Sequence, residues 1–202
     1  NGPARASRPT PLALQHDTAT GAGYGIAAAK GITGGRKGYK ASLFEGGVGV
    51  PFLARWPGKI PAGKIDSQSL ISAVDLLPTF CEIANVSLPK EYVADGLSQT
   101  NSLMGHGTAT REKPLFWKTQ AAWPPRKGSP NHWVSWAVVD RQWKLVANGN
   151  MSHYELYDIG IDFKEEKDLA LENPQVTKQL LQQLTQWQAT LPKHPTGNVF
   201  SK

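Results

Sequence analysis

The sequence has one cysteine, no long apolar run and no clustered histidines, and each shortage excludes a class of protein. Cys81 stands alone, so neither an intramolecular disulfide framework nor a cysteine-rich zinc site can form, because both need several thiols. The five histidines never occur in pairs or four residues apart, which argues against a histidine metal cluster. No apolar stretch approaches the roughly 18 residues of a membrane-spanning helix.

The start of the chain lacks an initiator methionine, and it also lacks the basic and apolar segments of a signal peptide. We therefore expect the sequence to be truncated at its N-terminus, which hides its cellular compartment.

Positive charge is concentrated in the first third of the chain. Residues 1–64 carry 9 Lys and Arg against 2 Asp and Glu, a net charge of +7, and the remainder carries 13 against 14, a net charge of −1. Such asymmetry indicates a surface that faces an anion, such as nucleic acid, a sulfated or phosphorylated small molecule, or an acidic protein surface. A solvated basic surface is the alternative interpretation.

The first half of the chain predicts a long loop, a strand and a helix. Residues 1–41 are rich in Gly, Ala, Thr and Ser and show no helical or alternating period, which is typical of a loop. Residues 48–56 predict a strand that ends at turn-forming residues. Residues 72–85 predict a helix with Asp75 near its N-cap and Pro78 in its first turn. Five residues are expected on the core-facing side of this helix: Val74, Leu77, Phe80, Cys81 and Ala84.

The second half predicts a small α+β subdomain packed on a larger body. Four short strands are expected, over residues 114–117, 133–139, 143–147 and 154–157, and residues 140–142 are short enough for a hairpin. The last helix is expected to start at Pro174 and to end near Leu191. Its apolar face consists of Val176, Leu180, Leu184, Trp187 and Leu191.

One segment imitates a phosphate-binding loop. Residues 58–64 satisfy the spacing G-x-x-x-x-G-K, but Ile65 stands where Ser or Thr should hold magnesium. Pro61 also removes an amide N–H that should face phosphate. We interpret the segment as two surface turns. Residues 21–25 resemble a dinucleotide fingerprint but lack its third glycine and a preceding strand.

Residues 40–52 join a lysine in a Gly-rich loop to a Glu-Gly-Gly turn and then to a buried strand. This order places a cation at the end of a sheet, where α/β folds bind ligands. Five further motifs follow in order: RWPGKIPAG (55–63), VDLLPT (74–79), PLFW (114–117), WKLV (143–146) and ELYD (155–158). The ordered set resembles the C-terminal part of the sulfatases of the alkaline-phosphatase superfamily, which are formylglycine-dependent and arylsulfatase-like.

The resemblance implies an α/β fold class. Residues 1–112 are expected to form the C-terminal part of the alkaline-phosphatase-like catalytic domain, whose N-terminal part is missing. Residues 113–202 are expected to form a small antiparallel-sheet subdomain with about four strands and a C-terminal helix.

The resemblance also implies a sulfuric ester hydrolase that acts on a sulfated small molecule or carbohydrate. Its nucleophile would be a calcium-bound formylglycine in a motif [CS]-x-P-[SA]-R, which is absent here. Residues 7–11 lack the arginine, and Cys81 is followed by Glu82 and Ile83. We therefore expect the nucleophile in the missing N-terminal half, and we expect this chain alone to be inactive. A periplasmic or secreted location is suggested by the family.

The resemblance carries two residues to the site, Lys40 and Asn1, and the composition of the loop over residues 118–133 adds two further candidates. Lys40 matches the family lysine that contacts the sulfate, where an ammonium stabilises developing negative charge. Lys37 is the nearest alternative cation, and we expect it to point elsewhere and its replacement to change turnover little. Asn1 matches the Asn of a metal-binding Asp-Asn-Gly and is the calcium-ligand candidate. Trp123 and His132 are candidates for a substrate-binding rim, because aromatic faces with nearby cations suit a sulfated sugar. Ordinary packing is the alternative for this rim.

Three rival functions stay open at the level of the sequence. A phosphodiesterase or phosphonate hydrolase of the same superfamily would differ in the missing nucleophile motif. A non-catalytic polyanion-binding module would bind with strong salt dependence and without calcium. A pseudoenzyme would lack the nucleophile throughout. The sequence contains no recognition-helix motif, so nucleic acid is not an expected partner, and the oligomeric state is not predicted.

Overall fold

The computed structural model describes residues 33–39, 42–108, 111–119 and 133–192. No helix in these ranges is both long enough and apolar enough to cross a bilayer. In chain order the elements are α1 (Glu45–Val48), a 3₁₀ turn (Ala73–Asp75), α2 (Leu76–Ile83), α3 (Thr100–Leu103), β1 (Leu115–Lys118), β2 (Trp136–Asp140), β3 (Trp143–Ala147), β4 (Tyr154–Asp158) and α4 (Pro174–Thr190).

The four strands form one antiparallel sheet in the order β1-β2-β3-β4. This sheet and the helix α4 confirm the predicted four-stranded subdomain with a C-terminal helix. The predicted hairpin is also confirmed, because Asp140 pairs with Trp143 across a two-residue loop. Arg141, the first residue of that loop, has a positive φ of 56°, as two-residue hairpin turns require.

One face of the sheet packs against α4. Successive strand residues point to opposite faces, and Val138, Leu145 and Leu156 all point toward the helix and are fully buried. Leu180 and Leu184 of α4 are buried against them, with Val176, Trp187 and Leu191 partly buried alongside. The predicted apolar face of this helix is therefore confirmed. Pro174 occupies its first turn after Asn173.

The opposite face of the sheet is covered by the segment that contains α1. Leu43 and Phe44 are buried there, in a cluster with Ala137, Val146 and Tyr157 from three different strands. The sheet is thus the middle layer between α4 and residues 42–48. Each layer removes apolar side chains from water, which is the main favourable contribution to folding.

The predicted strand over residues 48–56 is wrong. Val48 ends the short helix α1, and residues 49–56 form no strand in the described part of the chain. Val50 and Leu53 are 77% and 94% exposed. A strand is stable only when a neighbour satisfies its backbone N–H and C=O groups, and none of the described strands pairs with this segment.

The helix predicted within residues 72–85 is present, but its predicted core face is not buried. It starts at Leu76, so Asp75 is the N-cap residue and Pro78 lies in the first turn as predicted. Val74, Leu77 and Phe80 nevertheless remain 42–54% exposed. The residues buried here are instead Asp75 and Thr79, which are joined to the Leu97–Gln99 segment by hydrogen bonds. Cys81 is a free thiol and only partly buried, and Ala84 is exposed.

Candidate functional site

The structure describes the residues on both sides of Lys40 but not Lys40 itself. Lys40 lies outside the described residues, and so do the other site candidates Asn1, Trp123 and His132. Tyr39 and Ser42, which flank the lysine and Ala41, are described. Their backbones are joined by a hydrogen bond from the Ser42 N–H to the Tyr39 carbonyl, 2.8 Å long.

The loop around Lys40 is closed at its base by a second backbone hydrogen bond. The Gly46 N–H donates to the Lys37 carbonyl over 2.7 Å, so residues 37 and 46 lie side by side. A Cβ atom added at Gly46 would collide with the Gly38 carbonyl. The glycine is needed for this close approach of two backbones. The Glu-Gly-Gly segment expected to form a turn therefore forms the first turn of α1 and the base of the loop.

Lys37 fastens one side of this base to β4. Its Nζ donates to Glu155 Oε2 over 2.9 Å and to the Tyr157 hydroxyl over 2.7 Å. The same ammonium lies over the Phe44 ring, 4.3 Å from its centroid, which is an attractive cation–π geometry. The Tyr157 hydroxyl in turn donates to Glu155. Burial, followed by the hydrogen bond to Glu155, raises the pKa of Tyr157, which keeps the phenol protonated.

Glu45 fastens the other side of the base to β3 and to the segment after β4. Its Oε1 accepts a hydrogen bond from Lys144 Nζ over 2.7 Å. The Lys144 ammonium is fully buried and also pairs with Glu165 Oε1 at 2.9 Å. The second carboxylate oxygen of Glu165 accepts the Glu45 N–H over 2.7 Å. Glu45 is thus held through both its side chain and its backbone.

The Glu45–Lys144–Glu165 cluster contains two carboxyl groups and one ammonium group. Burial raises the pKa of Glu165, and the positive charge of Lys144 opposes that rise. A buried ammonium without a partner would be strongly unfavourable, so these carboxylates are needed wherever Lys144 faces the core. Glu165 also has φ of 57°, an uncommon backbone conformation for a residue with a side chain.

Aromatic side chains connect the loop to the segment predicted as a substrate rim. Phe44 is fully buried and makes edge contacts with Trp133, at 6.1 Å between ring centroids, and with Tyr157, at 6.3 Å. Trp133 also contacts the His153 ring at 4.2 Å. Trp133 is the last residue of the predicted rim segment, so the end of that segment lies directly beside the Lys40 loop.

The described residues contain no metal site and no phosphate-binding loop. Within these ranges, no group of three or more His, Cys, Asp or Glu residues could hold a metal ion. Asp75, the most buried aspartate among them, is paired with Arg111 at 2.7 Å. The segment 58–64 forms exposed turns, with φ of 77° at Gly58 and 70° at Gly63. The interpretation as surface turns is confirmed.

The strand residues and acidic partners that hold the loop base were not predicted from the sequence. The burial of Lys144 could have been predicted from the sequence. In the strand it alternates with Trp143 and Leu145, and it shares its face with apolar Val146. A lysine on an otherwise apolar strand face requires acidic partners. The roles of Glu165 and Glu155 could not have been predicted in this way, since Glu165 lies in a segment of mixed charge and Glu155 in an ordinary alternating strand.

Comparison with known families and proteins shows what this chain is similar to. The family model described as N-sulphoglucosamine sulphohydrolase, C-terminal, matches residues 36–190. The chain is 28% identical over 145 residues to N-acetylgalactosamine-6-O-sulfatase of Bacteroides thetaiotaomicron, covering 71% of this chain and 28% of that protein.

Several solved structures are also similar to this chain. One comes from work on the metabolism of multiple glycosaminoglycans by Bacteroides thetaiotaomicron; it has a TM-score of 0.62 and 26% identity, and the match covers 77% of this chain and 32% of that one. Another is Ps i-CgsB in complex with k-i-k-neocarrahexaose, with a TM-score of 0.62 and 28% identity over 75% of this chain and 31% of that one. The chain thus spans 28–32% of the length of these three relatives.

Proposed function

The chain belongs to the sulfatase family, and from this premise we propose that it is the C-terminal part of an enzyme that hydrolyses sulfate esters. The observation that carries the proposal is the family match over residues 36–190. That range contains Lys40, the loop base with both of its ionic clusters, the whole sheet and helix α4. The match therefore includes the proposed sulfate contact and the loop base, whereas Asn1 lies before its first residue.

We propose a sulfated carbohydrate as the substrate. A relative named N-acetylgalactosamine-6-O-sulfatase and a structural neighbour crystallised with neocarrahexaose support this substrate class. Trp123 and His132 are the proposed sugar contacts, since aromatic and imidazole groups bind the apolar faces and hydroxyls of sugars. The position of Trp133 beside Phe44 supports a rim next to the Lys40 loop.

Lys40 is the proposed sulfate contact. Its ammonium would bind negative charge that develops on the sulfuryl and leaving-group oxygens, and such a contact lowers the barrier when it strengthens in the transition state. The two anchors of the loop base support this role, because a charge-stabilising group acts best when its position is fixed in advance.

Calcium and formylglycine are proposed for the complete enzyme, not for the described residues. Those residues do not fit a metal site of their own, and the motif that would supply formylglycine is absent from the sequence. Asn1 is the proposed contribution of this chain, as one amide oxygen in a shared calcium site.

The test is a substrate panel on the complete enzyme that contains this chain. We expect release of sulfate from an aryl sulfate and from a sulfated oligosaccharide, and loss of both activities on chelation of calcium. Faster cleavage of a phosphodiester or an aryl phosphonate would show that the enzyme is a different hydrolase of the superfamily. Binding of sulfated polysaccharide that weakens steeply with salt, without any turnover, would favour the polyanion-binding module.

A further inference from the structure

We propose that Lys37 and Glu45 are positioning residues that fix the two sides of the Lys40 loop on the sheet. This inference rests on the proposed function, because it assigns to the loop the task of presenting Lys40 to the sulfate. It goes beyond that function by giving a role to Lys37, which the sequence offered only as an alternative cation. It also gives a role to the buried acidic residues that meet the loop base.

Lys37 and Glu45 lie close together in the fold although they stand at opposite ends of the loop. Lys37 and Glu45 flank the loop, and the hydrogen bond from the Gly46 N–H to the Lys37 carbonyl brings them to the same place. A contact that holds either side chain in place therefore also holds the loop base in place. The two ends of the loop therefore meet at this hydrogen bond.

The side chains of Lys37 and Glu45 reach the sheet at two separate places. Lys37 reaches β4 through Glu155 and the Tyr157 hydroxyl. Glu45 reaches β3 through Lys144, and its N–H reaches Glu165. The two anchors attach to neighbouring strands, because Lys144 and Tyr157 are direct cross-strand partners. Two separate attachments fix both the position and the rotation of the loop base.

The two anchors are ionic, whereas the packing of the loop on the sheet is apolar. Phe44 already packs the loop into the core, so retention of the loop does not require ion pairs. Ion pairs contribute little net stability compared with apolar side chains of the same volume, but their hydrogen bonds have a defined geometry. Glu165 also keeps an uncommon φ of 57°, and such conformations persist where the surrounding contacts hold them.

The structure therefore changes the expectation for Lys37. The Lys37 ammonium lies between Glu155, Tyr157 and the Phe44 ring. Its replacement should nevertheless lower turnover, because the lysine on which catalysis is proposed to depend lies three residues further along the same loop. A shift of about 1 Å in a group that binds the transition state costs as much as 100-fold in rate.

Hydrogen exchange on the 202-residue chain tests the anchors without any assay of activity. The variants are Lys37→Met, which keeps an apolar stem beside Phe44, and Glu45→Gln, which keeps a hydrogen-bonding group beside Lys144. The control is Leu184→Ala, which weakens packing on the opposite face of the same sheet. We expect the Gly46 amide to exchange about 10-fold faster relative to the β3 amides in both variants. In the control that ratio should stay constant. An unchanged ratio in both variants would overturn the proposal.

Kinetics of the complete enzyme test the consequence for catalysis. Both variants should lower kcat about 10-fold or more while KM changes less, because a displaced ammonium loses more of its interaction with the transition state than with the substrate. Lys37→Arg should recover part of the loss, since guanidinium can also pair with Glu155. Leu184→Ala should lower the Tm without a comparable loss of kcat.

Two results of the kinetic test would overturn the inference. One is faster exchange at Gly46 with unchanged kcat, and the other is a kcat that follows the Tm equally in the variants and in Leu184→Ala. If the unaltered enzyme fails to hydrolyse any sulfate ester, the proposed function fails. The exchange ratio then still decides whether Lys37 and Glu45 anchor the loop.

Discussion

Lys144 illustrates how a charged residue becomes part of the core of this protein. Transfer of its ammonium from water costs several kcal/mol unless partners replace the lost hydration. Carboxylate oxygens of Glu45 and Glu165 lie 2.7 and 2.9 Å from Nζ and replace it. Because those oxygens come from distant parts of the chain, the pairing ties α1 and the segment after β4 to the same strand.

The pH dependence of stability should report the ionisation of Glu165. Its folded-state pKa is raised above the usual value of 4.5 because of burial. The folded protein therefore binds this proton more tightly than the unfolded chain. The stabilising contribution is complete below the unfolded pKa and is lost as the pH rises through the folded pKa.

In the Glu165→Gln variant, the free energy of unfolding should therefore decrease less steeply as the pH rises above 4.5. Urea unfolding at a series of pH values measures this dependence. Glu166→Gln, at an exposed neighbour, is the matched control and should leave it unchanged. Identical pH profiles for Glu165→Gln and the unaltered protein would contradict the assignment.

Lys40→Ala should lower the turnover of the complete enzyme by about 100-fold, comparable to the loss of one oxyanion-stabilising donor. Arginine should restore little activity, since its planar fork cannot occupy the place of a compact ammonium. Steady-state kinetics with an aryl sulfate provide the measurement. Lys59→Ala, in an exposed turn, is the matched control. Wild-type kinetics for Lys40→Ala would show that the family lysine has been matched to the wrong residue.

At the scale of secondary-structure elements, aromatic packing holds the C-terminal half of α4 against the sheet. Trp187 stacks on Phe116 of β1 at 5.0 Å between ring centroids and makes an edge contact with Trp136 of β2 at 6.2 Å. One side chain thus links the helix to two strands. Leu180 and Leu184 bury the centre of the same face.

Trp187→Ala should lower the free energy of unfolding by about 3 kcal/mol, near the lower end for large-to-small substitutions because the indole is only partly buried. Chemical denaturation measures the change. Gln186→Ala, at the adjacent exposed position, should cost much less. A loss below about 1 kcal/mol for Trp187→Ala would mean that the aromatic cluster contributes little to docking.

The elements predicted correctly are those whose partners are close in sequence. The β2–β3 hairpin and α4 follow from alternation, a short turn and a helical period, because each pattern specifies its own geometry. The segment 48–56 has strand-like residues, but a strand also needs a neighbouring strand, and the residue pattern of one segment does not predict its partner. The helix face at Leu77 and Phe80 has the same limit, since periodicity identifies an apolar face without identifying what covers it.

The residues that contact the loop base could be identified only from the folded structure, for the same reason. Glu45 and Glu165 are 120 residues apart in the chain, and no local pattern connects them. The Lys40 assignment, in contrast, came from an ordered set of motifs and stays a prediction. The proposed sulfate contact is therefore a prediction from sequence motifs, whereas the groups that hold its loop are seen only in the fold.

At the scale of the whole molecule, the loop base and the subdomain sheet form one unit. Leu43 and Phe44 belong to the same core as Ala137, Val146 and Tyr157, although the proposed domain boundary falls between residues 112 and 113. Part of the positive charge of the first third is compensated within the fold, because Lys37 is paired with Glu155.

The purified 202-residue chain should fail to hydrolyse an aryl sulfate, with or without added calcium. It contains no [CS]-x-P-[SA]-R sequence, so it lacks the residue from which the formylglycine nucleophile of the proposed enzyme would form. A charge-stabilising lysine lowers the barrier of a reaction that a nucleophile begins, but it cannot supply the attacking atom. The complete enzyme, assayed at the same concentration, is the positive control. Calcium-dependent sulfate release by the purified chain would show that these 202 residues contain a nucleophile that the family comparison does not identify, and the reaction would then have to be assigned to other groups.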